Sequence, residues 1–435
     1  MCDIINSDLS FIRGEEVENR TYMCIDLKSF YASVECVSRG LDPFKANLVV
    51  ADPSRGRGAI CLAVSPAMKE LGVKNRCRLF QIPDNIDYIT AVPRMRRYMK
   101  VSADIYSIYL KYISPDDIHV YSIDECFIDA TDYLLMYKKT AKQFAEMLMN
   151  AVFEETGICA TAGVGTNLFL AKVALDITAK HVPDHIGYLD EKRFKETIWH
   201  HKPITDIWNV GRGIAKRLEK YGVDDLYGVT RLPRECLYKE FGVNAEYLID
   251  HANGREPCTI KDIHEYHSKS SSLSNSQILF EDYTAEDTLT VLKEMVDKLT
   301  LELVEKHLVT DSISLSIGYS KDTDRATGGT RKIGEYTNSY KKIIAAFLNL
   351  FNETTKMTLP IRRLSVGVNN LQGEEMETVS LFDDVKAIEK EKKLQKAVLE
   401  IKKKYGKNAV LKGISYTEKG TARERNKLVG GHNGE

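Results

Sequence analysis

Residues 119–129 read His119-Val120-Tyr121-Ser122-Ile123-Asp124-Glu125-Cys126-Phe127-Ile128-Asp129. Apolar residues on both sides of an acidic pair predict two strands meeting in a tight reversal at Asp124-Glu125. Upstream, Tyr22-Met23-Cys24-Ile25 is a short apolar run ending at Asp26, which predicts a buried strand with a carboxylate at its end. Downstream, residues 138–156 read as helix, Ile158 to Gly165 as a strand and 167–180 as a helix. Met95, Met99, Ile105, Ile108, Tyr109 and Tyr112 give the stretch from Arg94 to Tyr112 an amphipathic helical pattern. The resulting order, strand–helix–strand–strand–helix–strand, is the split βαβ plan. A small lobe is inserted after the first strand: a helix from Lys28 to Val37, a buried strand from Leu48 to Ala51, a Gly/Arg-rich turn at Ser54–Gly58, and a short helix from Pro66 to Leu71 stopped by Gly72.

Beyond this core, Asp190 to Cys258 predicts short helices with glycine breaks, and His264 to Ser272 a polar linker. Residues 273–370 again mix strands and helices, with 286–306 and Ser339 to Phe351 helical and Ile313 to Tyr319 alternating. At 435 residues the chain should form three or four domains. The composition, 43% apolar and 28% charged, is that of a soluble globular protein. No run approaches a membrane span, and the N-terminus lacks the apolar stretch of a secretory signal. Nine cysteines without a CxxC pair point to reduced thiols in a cytoplasmic enzyme, not to disulfides or zinc. Net charge is −1, but residues 385–435 carry 14 Lys/Arg against 6 Asp/Glu. Polyanion binding would favour such a surplus; on charge alone, a solvated helix face and a disordered end is the favoured reading.

Asp26 lies about a hundred residues before Asp124 and Glu125, so only tertiary structure can join them. Neighbours on a regular strand point to opposite faces, a constraint that a turn at Asp124-Glu125 relieves. Three hard oxygen ligands without His or Cys suit Mg²⁺. Two such ions could stabilise the attacking and leaving oxygens of a phosphoryl transfer, with the backbone carbonyl of Leu27 as an extra ligand. Taken singly, Asp26 could cap the following helix and Asp124 could make a turn.

Together these segments resemble the Y-family DNA polymerases, in their UmuC-like branch. The resemblance rests on Cys24 to Glu35, Tyr121 to Glu125, Ala162-Gly163-Val164-Gly165 with Leu170-Ala171-Lys172, Trp208 to Ile214, and Ala252 to Pro257. It implies an α+β, multidomain right hand: a split βαβ (ferredoxin-like) palm at 1–28 and 84–184, fingers at 29–83, and a helix–hairpin–helix thumb at 185–260. A linker at 261–267, a little finger at 268–372 and a C-terminal region at 373–435 follow. Implied activity is low-fidelity, template-directed synthesis from dNTPs on primer-template DNA, in translesion synthesis and repair, with two Mg²⁺ per site held by Asp26, Asp124 and Glu125. Tyr31, next to Phe30, matches the aromatic that excludes ribonucleotides. Lys69 matches the cation that grips the triphosphate, and relatives often carry an aromatic where this chain has Pro66. Lys180 resembles a palm lysine reaching the phosphates, at a spacing from Lys172 that calls for a local bulge. Glu35 matches a fixed acidic position with structural work.

Val210-Gly211-Arg212-Gly213-Ile214 resembles the hairpin of a helix–hairpin–helix. Its glycines would let backbone approach a phosphate, with Lys216, Arg217 and Lys220 adding charge. Lys332, Arg362 and Arg363 mark a second DNA-facing surface. Thr378-Val379-Ser380-Leu381-Phe382 resembles the peptide that docks such polymerases on the sliding clamp, with Leu381 and Phe382 as its apolar anchors; packing on the little finger is the competing reading. His181 and His185 are spaced like helical metal ligands, but Pro183 between them breaks the helix. A monomeric catalytic subunit is implied. Two alternatives stand beside the polymerase: an inactive DNA-binding scaffold of the same fold, and a nucleotide cyclase sharing the split βαβ core.

Overall fold

The computed structural model describes residues 20–268, 271–320, 324–378, 380 and 383–434. The chain divides between His267 and Ser268 into two units.

The first unit is organised by a five-stranded sheet in the order β5-β6-β1-β7-β8. Its central strand β1 (Tyr22–Leu27) is buried along almost its whole length, as the apolar run requires. α1 (Phe30–Val37) follows, then a lobe built on the three-stranded sheet of β2 (Leu48–Val50), β3 (Ala63–Val64) and β4 (Ile89–Ala91). Within that lobe the Ser65 side chain accepts from the Met68 amide and caps α2 (Pro66–Glu70). The chain then re-enters the large sheet through α3 (Met95–Tyr109), β5 (Ile118–Val120), β6 (Glu125–Asp129), α4 (Thr131–Met136), α5 (Ala141–Thr156) and β7 (Ala160–Gly165). β1 runs antiparallel to both β6 and β7. This is the split βαβ order, extended by α6 (Leu168–Asp176) and β8 (Ile186–Leu189), which lies parallel to β7.

Two local expectations shift. The reversal falls one step earlier than Asp124-Glu125: β5 ends at Val120, Glu125 opens β6, and the amides of Tyr121 and Ser122 both donate to the Glu125 carbonyl at 3.0 Å. The helix expected over 167–180 ends at Asp176 and continues as a single tighter turn over Thr178–His181. Lys180 lies on that tighter turn, past the end of the helix.

Glycine decides how closely α6 sits on the sheet. A Cβ on Gly163 would lie 2.1 Å from the Ala171 carbonyl oxygen, and one on Gly165 would lie 2.3 Å from the Ala171 nitrogen. Both distances are impossible, so α6 packs backbone-to-backbone on β7 only because these two residues have no side chain.

The remainder of the first unit is helical: α7 (Glu191–Thr197), α8 (Arg212–Leu218), α9 (Leu226–Arg231), α10 (Arg234–Phe241), α11 (Ala245–Ala252) and α12 (Ile260–Glu265). Phe194, Leu218, Leu237 and Leu248 share its core with Phe169 of α6. Part of the expected linker is therefore helix: Thr259 and Asp262 cap α12 reciprocally, and Ile260 is buried against Tyr22 and Phe127 of the large sheet.

The second unit is a four-stranded antiparallel sheet in the order β11-β10-β12-β9, from β9 (Leu273–Tyr283), β10 (Leu308–Tyr319), β11 (Thr327–Thr337) and β12 (Ile361–Asn369). Alternation along β10 sends Ile313, Leu315 and Ile317 into a core with α13 (Ala285–Glu305) and α14 (Tyr340–Thr354). β13 (Gln372–Gly373) adds to β10, and α15 (Val385–Tyr405) then leads to α16 (Ala422–Arg425). The basic end is not a loose tail. The buried carboxylate of Glu294 on α13 accepts from the amides of Thr421 and Ala422 at 2.9 and 3.0 Å and from the Thr421 hydroxyl at 3.1 Å.

Candidate active site

The β1–β6 register places Asp26 directly opposite Glu125. Side chains of directly opposed residues on antiparallel strands share a face, so these two carboxyls stand side by side at the sheet's end. Asp124, last residue of the reversal, is fixed by its own backbone, whose carbonyl accepts from the Leu27 amide at 2.9 Å. Its side chain accepts from the Ser122 hydroxyl at 2.7 Å. All three acids are thus brought together, with Leu27 between the strand end and the reversal.

Crowding leaves a clear electrostatic mark. Burial, then the charges of Glu125 and Asp124, push the Asp26 carboxyl up to about 8. Lys172 opposes this rise. Its ammonium, buried on α6, donates to Glu125 at 2.7 Å and to Asp176 at 3.1 Å. Burial lowers the Lys172 pKa, but Cys24, Asp176 and Glu125 outweigh it and the net shift is upward. The carboxylates of Asp26, Asp124 and Glu125 offer oxygen donors, the chemistry of a hard divalent cation. As they stand, among the described residues no group of three or more His, Cys, Asp or Glu side chains forms a ready cage. Glu125 is engaged by Lys172 and Asp124 by Ser122.

Around the acids, Tyr31 on α1 stacks on Tyr98 of α3, with ring centres 4.5 Å apart and planes at 15°. Tyr98 cannot swing away, because its hydroxyl donates to Glu35 at 2.7 Å. Glu35 is fully buried and also accepts two bonds from Arg94, at 2.9 and 2.7 Å, and one from Arg39. Burial alone would raise its pKa; the bonds from Arg94, Arg39 and Tyr98 outweigh burial and lower it. Phe30 is buried beside Tyr31 and supports it from within.

Lys69, on α2, keeps solvent access, yet the protein packed around it lowers its pKa; Asp26 raises it and Lys180 lowers it. Lys69 therefore belongs to the electrostatic surroundings of Asp26, and Lys180 to those of Lys69. Lys28 joins them: its ammonium lies 2.8 Å from Nε2 of His185. Burial lowers its pKa, Lys69 lowers it further, and Cys159 and Asp26 raise it. His185 is thus a neighbour of a lysine.

Farther from the acids, Gly211 caps α8, and Gly211, Arg212, Gly213 and Lys216 are all exposed. Arg217 is not free in the same way. It donates to the Glu240 carbonyl at 2.8 Å and lies over the Phe241 ring, so it holds α8 to α10. Lys220 pairs with Glu240 at 3.3 Å. In the second unit, Lys332 and Arg363 stand opposite Ser312 and Gly318 on the sheet face away from the helices; Lys332 pairs with Asp311 at 3.7 Å and Arg362 with Asp282 at 3.6 Å. Thr378 pairs with Tyr336 through its backbone; Leu381 and Phe382 lie outside the described residues.

Sequence reading gave Lys172 no task and overlooked Tyr98. A lysine in the apolar helix Leu168-Phe169-Leu170-Ala171-Lys172-Val173-Ala174-Leu175 was the available signal, since a lysine on such a face is buried only with a carboxylate partner. Asp176, four residues on, is one such partner.

Comparison with known proteins gives consistent matches. Residues 25–176 match the impB/mucB/samB family, and residues 270–381 match the C-terminal domain of that family. The chain is 32% identical to the "Putative UV-damage repair protein UvrX" of Bacillus subtilis (strain 168), over 95% of this chain and 97% of that protein. It is 29% identical to DNA polymerase IV 2 of the same organism, over 96% and 99% of the two chains. Among solved structures, a Y-family DNA polymerase chimera superposes with a TM-score of 0.62 at 22% identity, covering 80% of this chain and 98% of the chimera. Right-hand polymerase architecture is the fold they share.

Proposed function

The chain belongs to the impB/mucB/samB family of Y-family DNA polymerases and is a DNA-directed DNA polymerase of translesion synthesis and repair, and from that premise we propose that Asp26, Asp124 and Glu125 form its nucleotidyl-transfer centre. One observation carries this reading: two carboxyls directly opposed across β1 and β6, joined by a third from the reversal, and pushing Asp26 up to about 8. Such crowding is unfavourable in the bare protein and favourable around a cation. Asp26, Asp124, Glu125 and the Leu27 carbonyl would hold two Mg²⁺. Bound there, the ions would acidify a primer 3′-hydroxyl and neutralise the triphosphate.

The chain's own residues do the rest. Lys69 and Lys180, with Lys28 beside them, offer positive charge to the phosphates of an incoming dNTP. Tyr31, backed by Tyr98, offers a rigid wall against a ribose 2′-hydroxyl. Residues 1–28 and 84–184 serve as palm, 29–83 as fingers and 185–260 as thumb, with Gly211, Arg212, Gly213 and Lys216 contacting template backbone without regard to sequence. Residues 268–372 form the little finger, and Thr378–Phe382 docks on a sliding clamp.

Primer extension decides it. Asp124→Asn should lower extension by about a thousandfold while duplex binding, read by fluorescence anisotropy, stays intact. Full extension by that variant would remove the assignment.

A further inference from the structure

Between the C-terminal half of α13, α15 and residues 407–426 lies a cavity of about 640 Å³, within the size range of small-molecule sites. Seven Lys/Arg and four Asp/Glu side chains line it, a surplus of three positive charges. Lys403 and Lys412 are neutralised by Glu305 at 2.9 Å and Asp297 at 2.8 Å. Among the described residues, Lys298, Lys402, Lys407 and Arg425 form no ion pair within 4 Å. Burial lowers the Lys298 pKa, Arg425 and Lys407 lower it further and Glu302 opposes them, while the Lys298 ammonium donates to the Asn275 side chain at 3.1 Å. Burial likewise lowers Lys402, with Lys412 adding to the effect and Asp297 opposing it.

Polar atoms in this wall are left open. Arg425 donates through one terminal nitrogen to Gln277 at 2.9 Å, but its buried Nε has no partner. Nor does the second carboxylate oxygen of Glu294, whose first oxygen holds Thr421 and Ala422. Leu301, Leu399, Leu411 and Ile414 complete the lining with apolar surface. A net surplus of three positive charges beside apolar side chains and an unused acceptor matches a ligand with phosphates at one end and an apolar body carrying a donor at the other. Seven of the eighteen lining residues fall inside the segment that matches the family's C-terminal domain and eleven lie beyond it.

We propose that this cavity binds a phosphorylated small molecule of nucleotide size, its phosphates on Lys298, Lys402, Lys407 and Arg425, its body against Leu301 and Leu411. Such a site would let the second unit respond to nucleotide independently of the acids at the sheet end of the first.

Titration calorimetry on the full chain in EDTA, which silences metal-dependent nucleotide binding, tests this with ATP, inorganic pyrophosphate and a short DNA duplex as probes. ATP should bind, pyrophosphate should bind more weakly, and Lys407→Glu and Arg425→Gln should each weaken ATP at least about tenfold. Hydrogen exchange over residues 399–426 should slow on adding ATP. Absence of ATP binding, or equal affinity in wild type and variants, overturns the proposal. So does a loss confined to the duplex, which would make the wall a nucleic-acid contact. Should Arg425→Gln fail to fold, Lys407→Glu, at an exposed position, decides alone.

Discussion

Asp26 and Glu35 are nine residues apart, and both carboxyls are withdrawn from water, yet their surroundings are opposite. Glu35 receives bonds from Arg94, Arg39 and Tyr98 that more than offset its burial, so its pKa falls. Asp26 faces Glu125 and Asp124, so burial and like charge act together and its pKa climbs to about 8. A saturated acid fixes architecture: Glu35 joins α1 to α3 and, through Tyr98, steadies Tyr31. An unsaturated one marks where a ligand must complete the charge balance. The cationic cavity of the second unit repeats that logic with the sign reversed.

Substitution should separate the two acids most sharply in activity. Asp26→Asn should cost about a thousandfold in primer extension, whereas Glu35→Gln should retain most of the extension rate per folded molecule. Comparable losses in both, measured under single-turnover conditions, would break the contrast.

Stability should reverse the ranking. Glu35 is buried while Arg94 and Arg39 are each about one-third exposed, so losing its charge-assisted bonds should cost about 1.5–3 kcal/mol and Glu35→Gln should lower the urea midpoint. Asp26 behaves otherwise. Its folded pKa lies above the unfolded value of 3.8, so the folded state binds the extra proton between those limits. In EDTA, stability should therefore fall as pH rises from about 4 to 8, and Asp26→Asn should flatten that slope. A pH-independent difference between wild type and variant would refute the assignment.

Sugar selection gives a smaller effect. Tyr31→Ala should raise incorporation of ribonucleotides by about 10- to 100-fold, and Tyr98→Leu should raise it less by letting Tyr31 recede. Equal discrimination in wild type and Tyr31→Ala, from competing dNTP and rNTP incorporation, would end the steric role. Smallest is the effect at α8. Lys216→Ala should reduce the salt slope of duplex binding by about 1. Arg217→Ala should instead lower stability, because its guanidinium serves Glu240 and Phe241; a loss of salt slope there would reassign it to DNA.

Much of this protein is legible locally. An apolar run ending at Asp26, a glycine-marked stop at Gly72 and a 3.6-residue period over Arg94–Tyr112 each follow from forces acting over a few residues. Period, capping and turn chemistry therefore placed the elements of the split βαβ core, with errors at their ends. Charge counting failed on residues 385–434, because their anchor, Glu294, lies 127 residues from Thr421. No local pattern announces a partner so far along the chain.

By itself the sequence determined most of the strands and helices of the split βαβ core and supplied the three acids. Only the tertiary structure decided that Asp26 stands opposite Glu125, that Lys172 reaches the same carboxylate, and that Tyr98 lies behind Tyr31. Strand register and helix docking set those meetings, and both depend on long-range burial: α6 reaches the sheet only where Gly163 and Gly165 leave its backbone room.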